Sequence, residues 1–351
     1  MTYRNTLWKE QEPVLRNFDE AKIIRSVSGA LALRDEIEQI VDRIWENDFD
    51  GIWWIGIGGT WASAMQAEVY MRHRSALPVF VDNAADFITT GNRRFTSQSV
   101  MICSSVSGTT PEMIAAADKV HEAGGTVFAF VDTPDTPLAE KADHLISYPA
   151  NEQLKFYMTC SYMMYKNGEF AEYEDYCRNM EEYLPEVLAG VEKEADAWAK
   201  EYAQETVRFL DGHPDMPHYF VASGNQYGAA YSLGMCYWEE QLWIRTRTIS
   251  AQEFFHGMQE VITRDTPVTL FIGEDEQRPL AERVAAFLPK VCANYVIIDT
   301  KEFALPGIRE EYRASISHLV MRAVCSRIEA YMELYLRHPM TIRRYYRQFP
   351  Y

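Results

Sequence analysis

The sequence predicts an α/β fold of two units, each a mostly parallel sheet flanked by helices in a three-layer sandwich. Three observations carry this reading. Short apolar runs alternate with amphipathic stretches. The runs are continuously apolar rather than alternating, as strands covered on both faces require. Two of them end in a glycine turn that opens a helix, at WWIGIGGTWASA and YFVASGNQYGAA. These two openings form a weak internal duplication.

The elements follow in order. Leu31 to Trp45 reads as a helix, and Gly51 to Ile57 as a buried strand ending in Gly58-Gly59-Thr60. Ala62 to Arg72 is helical. Pro78 to Val81 and Ser99 to Cys103 are strands, and Pro111 to Ala123 is a helix with proline in its first turn, where no amide is needed. Gly125 to Asp132 and His144 to Tyr148 complete the first sheet. From about 151 to 212 the chain is acidic and helix-rich without a strand signal. The α/β pattern restarts at His218 to Gly224, followed by a helix over Gly228 to Gln241 and strands at Ile244 to Ile249, Val268 to Ile272 and Tyr295 to Asp299. A long helix spans about Ile308 to Arg337. The predicted boundaries are an N-terminal extension over 1–29, a first unit over 30–155, a helical connector over 156–212, a second unit over 213–335 and a tail over 336–351.

Apolar residues make up 47% of the 351, enough for a substantial core, and the net charge is −17. That charge argues against nucleic acid or an anionic membrane as partner. An anion bound by such a chain has to be held by local dipoles. The six cysteines are scattered, without CxxC or Cys/His ligand spacing, so reduced thiols and no metal are expected. MTYRNTLWKEQEP carries no apolar leader and no apolar run is long enough to cross a bilayer, so the expected location is cytoplasmic.

The densest concentration of chemistry is VMICSSVSGTTPE, a strand, a hydroxyl-rich turn and a helix start. Ser105, Ser107, Thr109, Thr110 and Gly108 sit where the amides of a helix N-terminus are free, an arrangement able to hold a phosphate without lysine. The alternative is an ordinary Ser/Thr cap. The turn at Gly56-Ile57-Gly58-Gly59 does not complete a dinucleotide fingerprint, because Trp61 stands at its last glycine and only Asp82 loosely matches the acidic position. A second concentration is Trp238-Glu239-Glu240-Gln241 with Ser250 to Gly257. Glu240 and His256 on different elements can act as base and acid in a proton transfer beside a carbonyl. The alternative is a surface glutamate and a structural histidine.

Together SSVSGTT, the GGT turn, SGNQYG and a glutamate followed sixteen residues later by His-Gly resemble the sugar isomerase (SIS) domain family over about residues 30 to 340. More narrowly they are similar to the isomerase half of glucosamine-6-phosphate synthase and to the fructosamine-6-phosphate deglycases. EFFHG and the ending HPMTIRRYYRQFPY resemble the deglycase branch. The resemblance implies two SIS domains, with Ser105, Ser107 and Thr110 on the sugar phosphate and Gly59 and Thr60 close to it. It implies Glu240 as the base between C1 and C2, and His256 as the group that assists ring opening from a neighbouring subunit. Glu253 matches the acidic residue of the E-x-x-H-G turn, and Ser223 and Asn225 stand behind the site. A family serine corresponds to Trp61.

Two departures narrow the branch. The chain has no cysteine-led glutaminase domain, since its first cysteine is Cys103. The last lysine is Lys301, so the tail lacks the Schiff-base lysine of the synthase, and arginine cannot replace it because its guanidinium stays protonated. A substrate that already carries its amine needs no such lysine. The expected activity is deglycation of fructosamine 6-phosphates to glucose 6-phosphate and a free amine, with no cofactor, in a homodimer whose site lies at the subunit interface. The alternatives are an aldose–ketose phosphosugar isomerase, an amino-sugar-phosphate deaminase or a non-catalytic phosphosugar sensor. The tail aromatics Tyr345, Tyr346, Phe349 and Tyr351 either line the amine end of the site or pack on the core or a partner.

Overall fold

The computed structural model describes residues 15–350. Two helices come first, α1 (Glu20–Leu31) and α2 (Arg34–Glu46). The first sheet follows: β1 (Gly51–Gly56), α3 (Gly59–Arg72), β2 (Val79–Asn83), α4 (Ala84–Thr89), β3 (Ser99–Ser105), α5 (Pro111–Glu122), β4 (Thr126–Val131) and β5 (His144–Ser147). Helices α6 (Glu152–Lys166) and α7 (Tyr173–Gly212) lead to the second sheet. It contains β6 (His218–Ala222), α8 (Asn225–Ser232), β7 (Thr246–Ser250), the short α9 (Ala251–Phe254), β8 (Val268–Ile272), α10 (Arg278–Phe287) and β9 (Tyr295–Asp299). Helix α11 (Glu310–Leu336) and a tail close the described chain.

Every strand pairing is parallel, in the orders β2-β1-β3-β4-β5 and β7-β6-β8-β9. Strands β1 and β3 are buried throughout, as their unbroken apolar runs require. Neighbouring residues of β1 serve opposite faces of the sheet. Trp53 stacks on Phe80 with ring centres 4.3 Å apart, while Trp54 meets Phe156 of α6 at 4.6 Å.

Two departures from the sequence reading have local causes. The helix expected over Leu31 to Trp45 is α2 alone, and a separate helix, α1, takes residues 20–29 of the expected extension together with Ala30 and Leu31. Asp19 caps it, accepting from the Lys22 amide at 2.9 Å, and Gly29 lies so close to Tyr148 that a Cβ would fall 2.1 Å from its hydroxyl. Residues 1–14 and Tyr351 lie outside the described residues. The helix expected over Gly228 to Gln241 is α8 followed by a wide π-helical turn, Leu233–Glu239.

The two sheets do not own separate interiors. One apolar cluster runs from Ile52 and Trp54 of the first through α6, α7 and α11 to Phe220 and Phe271 of the second. Smaller clusters lie on the far face of each sheet. A buried polar link ties the connector to the last helix: Arg327 donates to Asp196 at 2.6 and 3.0 Å, and Tyr331 donates to the same carboxylate at 2.8 Å.

Candidate functional site

The order β2-β1-β3 reverses direction between β1 and β3, so their following turns diverge and leave a crevice at the carboxyl ends of the strands. The turns at Gly58-Gly59-Thr60 and Ser105–Thr110 are the ones that border it. A cavity of about 1990 Å³ opens there, lined by both turns and, across from them, by the π-helical turn of the second unit. Gly59 faces that turn directly: a Cβ there would lie 3.7 Å from Cys236 Sγ. The close approach rests on Gly228 of α8, where a Cβ would stand 2.5 Å from the Ala62 carbonyl of α3.

Four hydroxyls of the first unit's turns are hydrogen-bonded within the chain, and that of Thr110 makes no capping bond. Thr60 Oγ1 closes its turn by donating to the Ile57 carbonyl at 3.0 Å. Ser105 Oγ, buried at the end of β3, accepts from the Gly108 amide at 3.0 Å. Gly108 has φ +61°, and its carbonyl accepts from Leu138 at 3.0 Å. Ser107 Oγ accepts from Thr109 Oγ1 at 3.0 Å and from Arg347 of the tail at 3.0 Å. Thr110 occupies the N-cap of α5, yet its side chain makes no capping bond. The cap alternative therefore does not account for Thr110, which lines the cavity.

On the opposite wall, the π-helical turn sets the direction of the two glutamates. Glu240 donates its amide to Met235 O at 3.0 Å, five residues back, a widened turn of the kind that recurs at functional sites. Glu239 Oε1 accepts from Thr246 N and Oγ1 at 3.1 and 2.7 Å, so its carboxylate holds the start of β7. Glu240 is half-buried, lines the cavity and accepts from Arg343 Nε at 2.8 Å. Cys236, beside them, is a protonated thiol, because burial pushes it up to about 11.

Residues 50–168 match the SIS domain family. The chain is 25% identical over 323 residues to the fructosamine deglycase FrlB of Bacillus subtilis, covering 88% of this chain and 95% of that protein. It is 24% identical over 318 residues to the fructoselysine 6-phosphate deglycase of Escherichia coli K12, covering 88% and 89%. A solved structure from Salmonella typhimurium LT2, described as a candidate phosphosugar isomerase, superposes with a TM-score of 0.83 at 22% identity, covering 91% of this chain and 99% of that one.

The SIS match ends near the close of α6, and the second unit repeats its strand order without repeating its open turn. The end of β6 is filled by the chain itself. Asp275 accepts from the Asn225 and Gln277 amides at 2.6 and 2.9 Å, and Gln277 Oε1 accepts from Gly224 N at 3.2 Å. A carboxylate thus sits at the N-terminus of α8 where an anion would bind. Ser223 Oγ donates to Gln277 O and Asn225 Nδ2 to Ala314 O and Ser317. Both predicted residues are buried in this plug, away from the cavity lining.

His256 and Glu253 are exposed on the second unit and do not line the cavity. Within one chain the structure therefore brings Glu240 to the cavity bordered by the Ser105–Thr110 turn, but not His256. Among the described residues no cluster of His, Cys, Asp and Glu is suited to a metal, and no helix is long and apolar enough to cross a membrane.

Sequence reasoning missed two groups that line the cavity, Glu152 and Arg347, and a third, Arg343, that contacts Glu240. Glu152, at the first turn of α6, lines the cavity beside Ser104, and burial pushes its carboxyl up. Arg343 and Arg347 arrive on the tail. The tail had a visible signal, six arginines and tyrosines in TIRRYYRQFPY, but nothing in spacing alone said which wall they reach. Tyr346 and Phe349 line the cavity, while Tyr345 does not.

Proposed function

We propose that this protein is a phosphosugar enzyme of the isomerase and deglycase type, and that its reaction is the deglycation of fructosamine 6-phosphates. One observation carries the reading: the lysine-free hydroxyl turn and the carboxylate of Glu240 face each other across one cavity. The turn anchors the phosphate, and that remote binding orients the reacting carbons. Glu240 takes a proton from C1 of the open-chain amino-ketose to give an enaminol, and returns a proton to C2. The product is a C1 Schiff base of glucose 6-phosphate. Water adds to it, and C1–N cleavage releases the amine. The amine arrives on the substrate, which accords with a tail that carries arginines and no lysine.

His256 assists ring opening from a second copy of the chain, since its own chain leaves it on the surface. The protein is thus a homodimer in this reading. The similarity to deglycases over nearly the whole chain supports the choice of reaction.

Glu240→Gln tests the base. Release of glucose 6-phosphate should fall by about 10²–10⁴-fold, the range that general-base groups supply, while glucose 6-phosphate binding persists. Near-normal turnover by the variant removes Glu240 from the role. A panel of fructosamine 6-phosphates, fructose 6-phosphate and glucosamine 6-phosphate separates deglycase from isomerase and deaminase: silence on the first with turnover of either other compound selects the alternative.

A further inference from the structure

The phosphate turn holds no cation of its own, and the chain around it is strongly acidic. A dianionic phosphate held only by hydroxyls and amides in such surroundings lacks a counter-charge. The structure brings one from far along the sequence. After α11 the chain turns at Arg337, φ +52°, and the tail runs back along the cavity wall. Arg343 stops at Glu240. Four residues later, Arg347 reaches Ser107 Oγ at 3.0 Å, 240 positions away in sequence. Gln348 N donates to Tyr345 O at 2.9 Å and Arg347 has φ +57°, so a tight turn presents the side chain to the cavity it lines.

The partners of the two arginines differ. The Arg343 guanidinium is paired with a carboxylate at 2.8 Å. Among the described residues Arg347 has no carboxylate within ion-pair distance. Its recorded contacts are the neutral Ser107 hydroxyl and the face of Tyr346, 5.3 Å from the ring centre. One of the guanidinium's donors is used and the rest stay available in a planar fork that matches phosphate oxygens.

We propose that Arg347 is a phosphate-binding residue of the substrate site, the cation that the Ser105–Thr110 turn lacks. The proposal rests on the phosphosugar reading above. It assigns the tail a part in substrate selection: Arg347 makes the site prefer a phosphorylated sugar over the same sugar without its phosphate.

The test is equilibrium binding of glucose 6-phosphate, glucose and inorganic phosphate, by calorimetry, to the parent protein and to Arg347→Gln and Arg347→Lys. Arg347 is exposed near the chain end, and matching thermal melts confirm that the variants fold. Arg347→Gln should weaken glucose 6-phosphate binding about 10- to 100-fold, the worth of a charge-assisted hydrogen bond, and flatten its salt dependence. Arg347→Lys should recover part of the loss, and glucose binding should not change. If the parent protein prefers glucose 6-phosphate to glucose and Arg347→Gln keeps that preference in full, the role of Arg347 is overturned and the phosphosugar reading stands. If the parent protein binds glucose 6-phosphate no better than glucose, the phosphosugar reading falls and the proposal with it.

Discussion

Gly108→Ala tests whether the Ser105–Thr110 turn, the proposed phosphate site, is a rigid part of the fold. The glycine has φ +61°, a region that a residue with a β-carbon enters at a cost of about 1–2 kcal/mol. The added Cβ would also stand 2.0 Å from Thr136 Oγ1, 2.6 Å from Thr136 Cβ and 3.0 Å from Val131 Cγ1. All three lie inside ordinary contact distance, and Val131 is fully buried at the end of β4. Relief requires the turn to move, at the cost of about 1–3 kcal/mol typical of an overpacked site. The sum is about 2–5 kcal/mol. Movement also loosens the bonds of the Gly108 amide to Ser105 and its carbonyl to Leu138, so glucose 6-phosphate affinity falls together with stability. Urea unfolding reads the first as a lower midpoint at unchanged slope, and calorimetric binding reads the second. Thr136→Gly in the same chain removes the two nearest of the three atoms in conflict, so a double-mutant cycle should return a coupling of about 1–3 kcal/mol and leave the dihedral cost and the Val131 contact. A Gly108→Ala protein within about 0.5 kcal/mol of the parent and with unchanged binding refutes the reasoning.

Two further outcomes are expected. Arg343→Gln removes the 2.8 Å bond that orients Glu240; kcat should fall about tenfold with KM within about twofold, because the loss is one of positioning, and a change confined to KM would contradict it. His318 is fully buried against Tyr157, with ring centres 3.9 Å apart and neither ring nitrogen hydrogen-bonded, and burial pulls its pKa from 6.5 to about 3. Between those values the unfolded chain binds a proton that the folded one refuses. Its contribution is therefore intact above about pH 6.5 and lost by about 1.4 kcal/mol per pH unit as pH falls. His318→Phe should flatten the acid limb of a urea-midpoint profile, and an unchanged limb would show that the imidazole is protonated in the fold.

Much of the candidate site was legible because its parts are local. SSVSGTT follows an apolar run and precedes a proline-led helix, so strand, turn and helix are all specified within thirteen residues. Glu240 was harder. Glu239 and Glu240 are indistinguishable in a helical pattern; both line the cavity, and what separates them is their partners, Thr246 for Glu239 and Arg343 for Glu240. Ser223 and Asn225 belong to the glycine turn that pairs with Gly58-Gly59-Thr60 in the weak duplication, and they were expected behind the site. Asp275, fifty residues further on, fills that position, and no local pattern reveals a plug from another loop. Trp53 and Trp54 show the reverse case: adjacent on a strand, they had to face opposite sides of the sheet, and they do.

The sequence by itself determined the parallel α/β layers, the glycine turns and the hydroxyl turn, because strand burial, backbone dihedrals and helix starts depend on residues within one or two turns of each other. Tertiary structure alone decided which groups share the cavity. Arg343 and Arg347 lie 103 and 240 residues from the side chains they contact, and the packing of α11 against the connector is what carries the tail there. Charge and reach decide such contacts, and both act through space rather than along the chain.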